Sequence, residues 1–243
     1  MTIQAITFDF WGTLYRHTQS LRPRRLQLIQ AALATNGAGD VAEERLADAI
    51  QHAWDHWDRV WRTEQRTFGA SEWLTCALDH IGAVLPKREF SRTAQALERM
   101  ILADTTVPVD GVPAVLAQLS RRYRLAIISD TGISPGHVLR DLLSRDGLLS
   151  CFRHTIFSDE FGRSKPHPDV FRAALAELNV SPHQAAHVGD LLHTDIAGAR
   201  AVGMVAVRFA GVHDDHDVAH PDADCVIRTY DELASVLDQL KVG

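Results

Sequence analysis

Short apolar runs alternate with helical segments over the second half of the chain. The apolar runs cover residues 125–128, 155–157, 185–188, 205–207 and 225–227, and a similar β-prone run opens the chain at residues 3–9. Strands that are apolar along their whole length are buried on both faces, as in a parallel sheet covered by helices on both sides. The alternation therefore predicts an α/β fold with a doubly wound, Rossmann-like parallel sheet.

The segment from about residue 23 to residue 104 follows a different pattern. Apolar residues recur there at spacings of three or four, which is typical of amphipathic helices, and four such stripes can be distinguished. A glycine-containing stretch at residues 36–39 separates the first helix from the second. We therefore predict an α/β core domain formed by residues 1–15 and 106–243, with an all-helical cap domain, residues 16–105, inserted into it.

The composition is that of an ordinary soluble globular protein. The 243 residues carry a formal net charge of -6, and no run of Lys and Arg exceeds two residues, so we expect no binding to nucleic acid. No apolar segment approaches the roughly 20 residues that span a bilayer, and the N-terminus lacks the pattern of a signal peptide. The three cysteines form no CxxC pair, which indicates reduced thiols. We therefore expect a cytoplasmic protein without a membrane partner, and the choice between monomer and homodimer stays open.

Polar residues stand at the ends of several predicted strands. Asp9, Ser129 and Asp190 each follow an apolar run, and Lys165 lies in the loop after another. The carboxyl ends of parallel strands form the crevice in which such folds bind their ligands. We therefore expect these four side chains to converge on one site.

Asp9 is suited to act as a nucleophile. A carboxylate can attack phosphorus or carbon and form a covalent ester. A phosphoryl group carries about two negative charges near neutral pH, so an attacking carboxylate needs compensating positive charge. A magnesium ion held by Asp9 and Asp190 would supply it, because this ion prefers oxygen ligands. The pattern therefore predicts a small phosphorylated substrate and Mg²⁺ as the cofactor.

The remaining polar groups would bind the phosphate. Lys165 would add a point charge on the phosphate oxygens, and the Ser129 hydroxyl would add a hydrogen bond. Gly12 and Thr13 leave backbone N–H groups free to surround an anion. Asp130, beside Ser129, is a further position that we predict at the phosphate site.

Four sequence motifs follow one another along the chain. They are D-x-x-G-T-L from Asp9, a strand that ends in Ser129, K-P-x-P from Lys165, and G-D-x-x-x-x-D from Gly189 to Asp195. Their order resembles the haloacid dehalogenase superfamily, and the helical insertion resembles the cap of its first subclass. The resemblance covers nearly the whole chain.

The resemblance implies roles for individual residues. Asp9 would be the catalytic nucleophile, Thr13 would orient its loop, Ser129 would bind phosphate and Lys165 would neutralise charge. The magnesium ligands would be Asp9, the main-chain carbonyl of Trp11 and Asp190, with Asp195 in support. We also expect Asp195 to cap the helix that starts at Ile196.

Position 11 departs from the family pattern. Phosphatases of the family usually carry an aspartate there, two residues after the nucleophile, which protonates the leaving group and later activates water. Here the residue is Trp11, whose indole can do neither. General acid–base catalysis is typically worth about 10²–10⁴ in rate. The metal site would not depend on this side chain, because a main-chain carbonyl serves as the ligand.

Three hypotheses therefore remain open. A slow or specialised phosphatase could use substrates with good leaving groups, or take a proton from the cap or from His193. A 2-haloacid dehalogenase would need no acid, and its subgroup has an aromatic residue at position 11, but Gly189-Asp190 resembles a magnesium motif that dehalogenases lack. A non-catalytic protein could bind a phosphorylated ligand. A phosphonatase is disfavoured, because it needs a cap lysine and Lys87 is the only candidate.

Other clusters have more than one interpretation. Trp54, Trp57, Trp61 and Trp73 lie on helical stripes, and we expect most of them in the cap interior and one or two at the substrate pocket. The His- and Asp-rich segment at residues 213–220 favours a solvated loop over a metal site, because no second ligand pair follows at a fixed spacing. One of the arginines between residues 16 and 25 could reach an anionic substrate.

Overall fold

The computed structural model of the chain describes residues 2–36, 41–103, 105–217, 219–220 and 222–239. Residues 37–39 of the predicted helix break at residues 36–39 lie outside these residues. The predicted end of the last helix at residue 240 and residue 218 of the His- and Asp-rich segment also lie outside them. Within the described residues, the chain folds into an α/β unit and a helical unit.

Six parallel strands form the central sheet of the α/β unit. In spatial order they are β5 (His154–Phe157), β4 (Arg124–Ser129), β1 (Ala5–Phe8), β6 (Ala185–Gly189), β7 (Val205–Phe209) and β8 (Cys225–Ile227). Every neighbouring pair runs parallel. The predicted parallel sheet is therefore confirmed, with β1 near its middle.

Helices cover both faces of this sheet. Side chains alternate along a strand, so Ile6 and Phe8 of β1 pack on one face and Ala5 packs on the other. The first face is covered by α5 (Val112–Leu119), α6 (Gly136–Arg145) and α10 (Tyr230–Gln239). The second face is covered by α8 (Pro168–Leu178) and α9 (Ala197–Val202), and the short α7 (Ser158–Phe161) follows β5. The sheet is therefore doubly wound, as predicted.

Four helices form the helical unit. They are α1 (Arg22–Thr35), α2 (Glu43–Glu64), α3 (Ala70–Ile81) and α4 (Lys87–Arg99). On α2, the buried residues Leu46, Ala49, Ile50 and Ala53 recur every three or four positions and share one face. They pack into a separate apolar cluster in which Trp73 is fully buried. Among the described residues, no helix combines the length and the apolar character needed to cross a membrane.

Two short strands join the units. β2 (Tyr15–His17) and β3 (Thr106–Pro108) pair antiparallel, with His17 opposite Thr106. His17 Nδ1 lies 2.9 Å from Thr106 Oγ1. Strands of three residues are too short to leave a periodic pattern, which is why the sequence did not predict them. The chain therefore enters and leaves the helical unit at neighbouring points.

The predicted helix cap at Asp195 is wrong. A π-helical turn over Leu192–Ile196 leads directly into α9, so Asp195 lies inside a helical segment rather than in front of one. Its Oδ2 accepts a hydrogen bond from the Leu191 N–H at 3.1 Å, before the π-helical turn. Turns of this kind are rare and frequently occur at functional sites.

Candidate active site

The carboxyl ends of the three central strands form a crevice. Asp9 follows β1, Asp130 follows β4 and Asp190 follows β6. β1 lies between β4 and β6, at the point where the strand order reverses, and open α/β sheets bind their ligands at such points. Carboxylate oxygens of Asp9, Asp190 and Asp195 lie within 4.8 Å of one another, and all three residues are buried. Residues from the first and last motifs therefore meet, although they are distant in sequence.

The Lys165 side chain links two of these carboxylates. Its Nζ donates to Asp9 Oδ1 at 2.5 Å and to Asp195 Oδ1 at 2.6 Å. The Lys165 backbone N–H donates to Asp130 Oδ1 at 2.8 Å, which anchors the loop that carries the lysine. Only 2% of Lys165 is exposed, so its charge acts where water screens ion pairs least. The lysine therefore connects the ends of β1 and β4 to the π-helical turn.

A buried hydrogen-bonded chain continues from Asp195 into the sheet. His187 Nε2 lies 3.0 Å from Asp195 Oδ1, and His187 Nδ1 lies 2.8 Å from Thr7 Oγ1. An ionised carboxylate can only accept, so Nε2 carries the proton and Nδ1 accepts from the Thr7 hydroxyl. Burial lowers the pKa of His187, which keeps the ring neutral. His187 is not among the residues predicted at the site, although it is a single polar residue in an otherwise apolar strand.

Crowding and burial raise the pKa of two carboxyl groups. Burial raises the pKa of Asp9 to about 7, although Lys165 opposes the rise. Burial and the negative charge of Asp9 raise the pKa of Asp190 to about 9. Burial would also raise the pKa of Asp195, but Lys165 and His187 outweigh it and hold that pKa below its usual range. Without further positive charge, Asp9 and Asp190 are therefore not both fully ionised at neutral pH.

The three aspartates have the composition of a magnesium site. Mg²⁺ prefers oxygen ligands, and a divalent cation would allow Asp9 and Asp190 to ionise together. Both oxygens of Asp195 already accept hydrogen bonds, so Asp9 and Asp190 are the carboxylates suited to hold the ion. Gly12 has a φ of +74°, and a Cβ there would overlap the Asp190 carboxylate, so the close approach of this loop requires glycine. The ligand role of the Trp11 carbonyl stays a prediction.

A cavity of about 280 Å³ opens over this crevice, between the two units. The α/β unit contributes to its wall Asp9, Trp11, Asp130, Lys165, Asp190 and Asp195. The helical unit contributes Arg25, Trp54, Trp57 and Trp61. Ligand pockets typically measure about 300–1,000 Å³, so this cavity suits a small metabolite.

Three residues predicted at the phosphate are not among those that line the cavity. Ser129 is buried, and its Oγ donates to the Asp130 carbonyl oxygen at 3.3 Å. Thr13 is also buried, and the Tyr230 hydroxyl donates to its carbonyl oxygen at 2.8 Å. Within the described chain, Thr13 Oγ1 has no hydrogen-bond partner. Gly12 adjoins Asp190, as described above. The contacts of these three residues with phosphate stay predictions.

Trp61 connects the helical unit to the crevice. Its Nε1 donates to Asp130 Oδ2 at 2.8 Å. Burial raises the pKa of Asp130 to about 6, and Lys165 and this hydrogen bond oppose the rise. In a second contact, the Ser164 N–H donates to the Gln65 carbonyl oxygen at 2.8 Å. The helical unit is therefore attached to the loop that carries Lys165.

Three tryptophans of the helical unit line the cavity, which is more than the one or two expected. Trp54, Trp57 and Trp61 recur every three or four residues on α2, so they share the face that meets the crevice. Trp73 alone of the four is fully buried. The ring centroid of His193 lies 5.0 Å from that of Trp61.

Ion pairs anchor the His- and Asp-rich segment to the α/β unit. Asp214 pairs with Arg208 at 2.6 Å and with Arg228 at 2.9 Å. Asp215 Oδ2 accepts a hydrogen bond from the Leu192 N–H at 2.7 Å, at the start of the π-helical turn. The segment therefore supports the turn that carries Asp195, a function that its composition did not indicate.

Replacing Lys165 with Met should destabilise the protein. The change leaves Asp9 and Asp195 buried without their cation, and breaking a buried ion pair in this way typically costs about 3–5 kcal/mol. Urea unfolding followed by circular dichroism measures the free energy of unfolding. Lys87→Met, at an exposed lysine, is the matched control and should change it by less than about 0.5 kcal/mol. Equal stability of the two variants would contradict the ion-pair arrangement.

In the absence of divalent metal, stability should fall as the pH rises from about 6 to about 8. The pKa values of about 7 for Asp9 and about 9 for Asp190 lie above the ordinary value of 3.8. The folded state therefore binds more protons than the unfolded state, and each extra proton lowers the free energy of unfolding by about 1.4 kcal/mol per pH unit.

Urea unfolding in the presence of a chelator measures this slope. The double variant Asp9→Asn/Asp190→Asn lacks both titrating groups. Its free energy of unfolding should therefore fall less steeply with pH than that of the native protein. A slope in the native protein no steeper than in the double variant would show that the two pKa values are not raised.

Comparison with curated proteins finds phosphatases among the relatives. The chain is 27% identical to the glyceraldehyde 3-phosphate phosphatase of Methanopyrus kandleri, over 98% of each chain. It is 36% identical over 136 residues to the glyceraldehyde 3-phosphate phosphatase of Pyrococcus furiosus. That second match spans 54% of this chain and only 55% of the relative.

Comparison with solved structures finds the same fold. The 2-haloacid dehalogenase of Pseudomonas syringae is similar with a TM-score of 0.70 and 24% identity, over 98% of this chain and 99% of that one. The family model of the haloacid dehalogenase-like hydrolases matches residues 3–203 of this chain. The order of motifs, the doubly wound sheet and this match agree, and the chain belongs to the haloacid dehalogenase-like hydrolase family.

Proposed function

We propose that the protein is a magnesium-dependent phosphatase that hydrolyses a small phosphorylated metabolite through an aspartyl-phosphate on Asp9. The observation that carries this proposal is the position of the Asp9 carboxylate, which lines the cavity, accepts a hydrogen bond from Lys165 and lies beside Asp190. Membership of a hydrolase family supports hydrolysis, and relatives named as glyceraldehyde 3-phosphate phosphatases support a phosphorylated substrate.

The reaction has two steps. In the first, a carboxylate oxygen of Asp9 forms a bond to phosphorus while the bond between phosphorus and the leaving oxygen breaks. The phosphoryl group is then bound to Asp9 as an acyl phosphate, a mixed anhydride, and the leaving group departs as an alkoxide or carboxylate. In the second step, water attacks phosphorus, the bond to Asp9 breaks and inorganic phosphate leaves. One proton of the water ends on the leaving group or in solvent, so that water is added across the original bond.

The positive charge of Lys165 reduces the electrostatic repulsion between the Asp9 nucleophile and the phosphoryl group. The phosphoryl group carries about two negative charges near neutral pH, and Asp9 brings another. Lys165 donates to Asp9 and would also contact the phosphate oxygens. Asp195 holds the ammonium group from the other side, and His187 holds Asp195. Asp195 and His187 are therefore positioning residues rather than catalytic ones.

Asp9, Asp190 and the main-chain carbonyl of Trp11 would hold the magnesium ion, with Asp195 in support. When bound, the ion supplies positive charge to the phosphate and to both carboxylates. The raised pKa of Asp190 indicates that this carboxyl otherwise keeps a proton near neutral pH, so binding of the metal should release one.

The phosphate would contact groups from three loops. The residues proposed for these contacts are Gly12, Thr13, Ser129, Asp130 and Lys165. The loop after β1 offers backbone N–H groups to an anion. Ser129 is buried behind Asp130, so its contact requires the hydroxyl to turn from the Asp130 carbonyl oxygen toward the cavity.

The helical unit would act as a cap on the α/β unit. We place the cap at residues 16–105 and the core at residues 1–15 and 106–243, because β2 and β3 bring both connections together. Trp61 donates to Asp130 across the boundary between the units. A closed cap would exclude water from Asp9 while the phosphoryl group is transferred.

Trp11 restricts which substrates can react. Its ring packs against Phe10 and His17, with ring centroids 4.9 Å from both, and Trp11 lines the cavity. An indole cannot protonate a leaving alkoxide. We therefore expect the fastest turnover with leaving groups that need no proton, such as the carboxylate of an acyl phosphate.

Phosphate release should depend on Asp9. With magnesium and a panel of small phosphate esters and acyl phosphates, Asp9→Asn should reduce kcat/KM by more than about 1,000-fold, because an amide is a poor nucleophile. Asp79→Asn, at an exposed aspartate of the helical unit, is the matched control and should keep full activity. A colorimetric phosphate assay measures both. Equal activity of Asp9→Asn and the native protein would remove the proposed mechanism.

Trp11→Asp should accelerate the hydrolysis of phosphate esters with basic leaving groups. It restores a group that can donate and accept a proton, and such groups are worth about 10²–10⁴ in rate. Trp11→Asn is the matched control, since it removes the indole and supplies no proton, and it should bring no gain. The same phosphate assay compares the variants, and equal rates for Trp11→Asp and Trp11→Asn would exclude the missing acid as the cause of slow turnover.

The aromatic residue at position 11 favours a second candidate, 2-haloacid dehalogenation. Halide leaves without a proton, so Asp9 could attack carbon and displace halide with no acid nearby. Chloride release from 2-chloropropionate without magnesium would support this activity over phosphate hydrolysis. A native protein that is inert on every compound tested, but becomes a phosphatase as Trp11→Asp, would instead favour a function in binding a phosphorylated ligand.

A further inference from the structure

Arg25 lines the same cavity but has no part in the reaction proposed above. It stands near the start of α1, in the helical unit, whereas Lys165 belongs to the α/β unit. Among the described residues of the cavity wall, these two carry the permanent positive charges. Lys165 already donates to Asp9 and Asp195 and would contact the phosphoryl group, so Arg25 is the cation left for another part of the ligand.

Within the described chain, the Arg25 guanidinium forms no ion pair, and its buried Nε has no hydrogen-bond partner. Its Cζ lies 4.9 Å from the ring centroid of Trp54, a cation–π contact that supports the group without neutralising it. Burial lowers the pKa of Arg25 to about 10, so the group stays protonated near neutral pH. Arg25 is half-buried, and a buried N–H without a partner is unfavourable, which points to a ligand that supplies the anion.

Arg25 and His17 both line the cavity, and their charges interact. Burial is the larger cause that lowers the pKa of His17, and the positive charge of Arg25 is the second. The His17 ring centroid lies 4.9 Å from that of Trp11. Trp11 follows Asp9 by two residues. Because the cavity measures only about 280 Å³, a small molecule whose phosphoryl group meets Asp9 brings its other end within reach of the helical unit.

The charges around the cavity favour a carboxylate at Arg25 over a second phosphate. The acidic residues of the wall are Asp9, Asp130, Asp190 and Asp195. A single guanidinium neutralises one negative charge, and its planar N–H groups match the two oxygens of a carboxylate. A second phosphate would bring about two charges and leave one of them unneutralised among these carboxyl groups.

We propose that Arg25 determines specificity by binding a carboxylate of the substrate, so that the protein prefers small phosphorylated carboxylic acids to neutral phosphate esters. The position of the phosphoryl group in this proposal rests on the proposed function. Trp54 holds the guanidinium from behind, and Trp57 and Trp61 offer apolar surface to the carbons between the two anionic groups.

Two three-carbon compounds test this preference. 3-Phosphoglycerate carries a carboxylate where glycerol 3-phosphate carries a hydroxymethyl group, and the two are otherwise alike. Titration calorimetry with magnesium measures their dissociation constants on an Asp9→Asn background, and phosphate release measures kcat/KM with Asp9 intact. We expect 3-phosphoglycerate to be preferred by about 10–100-fold, the usual contribution of a charge-assisted hydrogen bond.

Arg25→Gln should remove this preference. Binding of 3-phosphoglycerate should weaken by about 10–100-fold, while that of glycerol 3-phosphate should change by less than about 3-fold. Arg24→Gln, at the exposed neighbour on the same helix, is the matched control and should keep the preference. Arg25→Lys keeps the charge but loses the planar pair of donors, so it should restore part of the preference.

Several outcomes would overturn the proposal. Equal weakening of both ligands in Arg25→Gln would indicate a structural role, and a native protein without the preference would exclude carboxylate recognition. Tighter binding of a glycerol bisphosphate than of 3-phosphoglycerate would exclude the choice of carboxylate. If the protein shows an Arg25-dependent preference in binding but no turnover, carboxylate recognition holds and the proposed function is wrong. If it shows turnover but no preference, the proposed function holds and carboxylate recognition is wrong.

Discussion

The Lys165 ammonium group, buried between the carboxylates of Asp9 and Asp195, is the interaction on which the crevice depends. A charge transferred from water to a protein interior costs several kcal/mol unless opposite charge and hydrogen bonds accompany it. One lysine does not balance Asp9, Asp190 and Asp195, and the raised pKa values of Asp9 and Asp190 express this deficit. The way in which these side chains pack therefore creates a buried acidic group that could hold a further cation.

The crevice and the helical unit contribute different chemistry to one cavity. The parallel strands deliver acidic groups and Lys165, because their carboxyl ends meet at one edge of the sheet. The face of α2 that meets this edge carries tryptophans, and α1 adds Arg25. The Trp61–Asp130 hydrogen bond spans the two units, so the position of the helices is coupled to the loop that holds Lys165. Under the two proposals, the α/β unit carries out the reaction and the helical unit selects the substrate.

Part of the site could be predicted because motifs report local structure. Asp9 and Asp190 each follow a largely apolar run, and the end of such a strand has only one place in a parallel sheet. His187 and the π-helical turn could not be predicted in the same way. In the sequence, His187 is one polar residue in an apolar strand. Its hydrogen bonds to Thr7 and Asp195 depend on how the strands pair. Asp195 was mistaken for a helix cap, because spacing alone does not distinguish an α-helical from a π-helical turn.

The sequence by itself determined the class of the fold, the division into apolar strands and amphipathic helices, and the family, since periodicity and motif order are properties of neighbouring residues. Only the tertiary structure decided which side chains share the cavity. Trp61 and Asp130 are 69 positions apart, and their contact depends on how two separately packed units are oriented. The same orientation brings Arg25 to the cavity wall. Contacts between units result from packing over the whole surface of each, which leaves no local pattern in the chain.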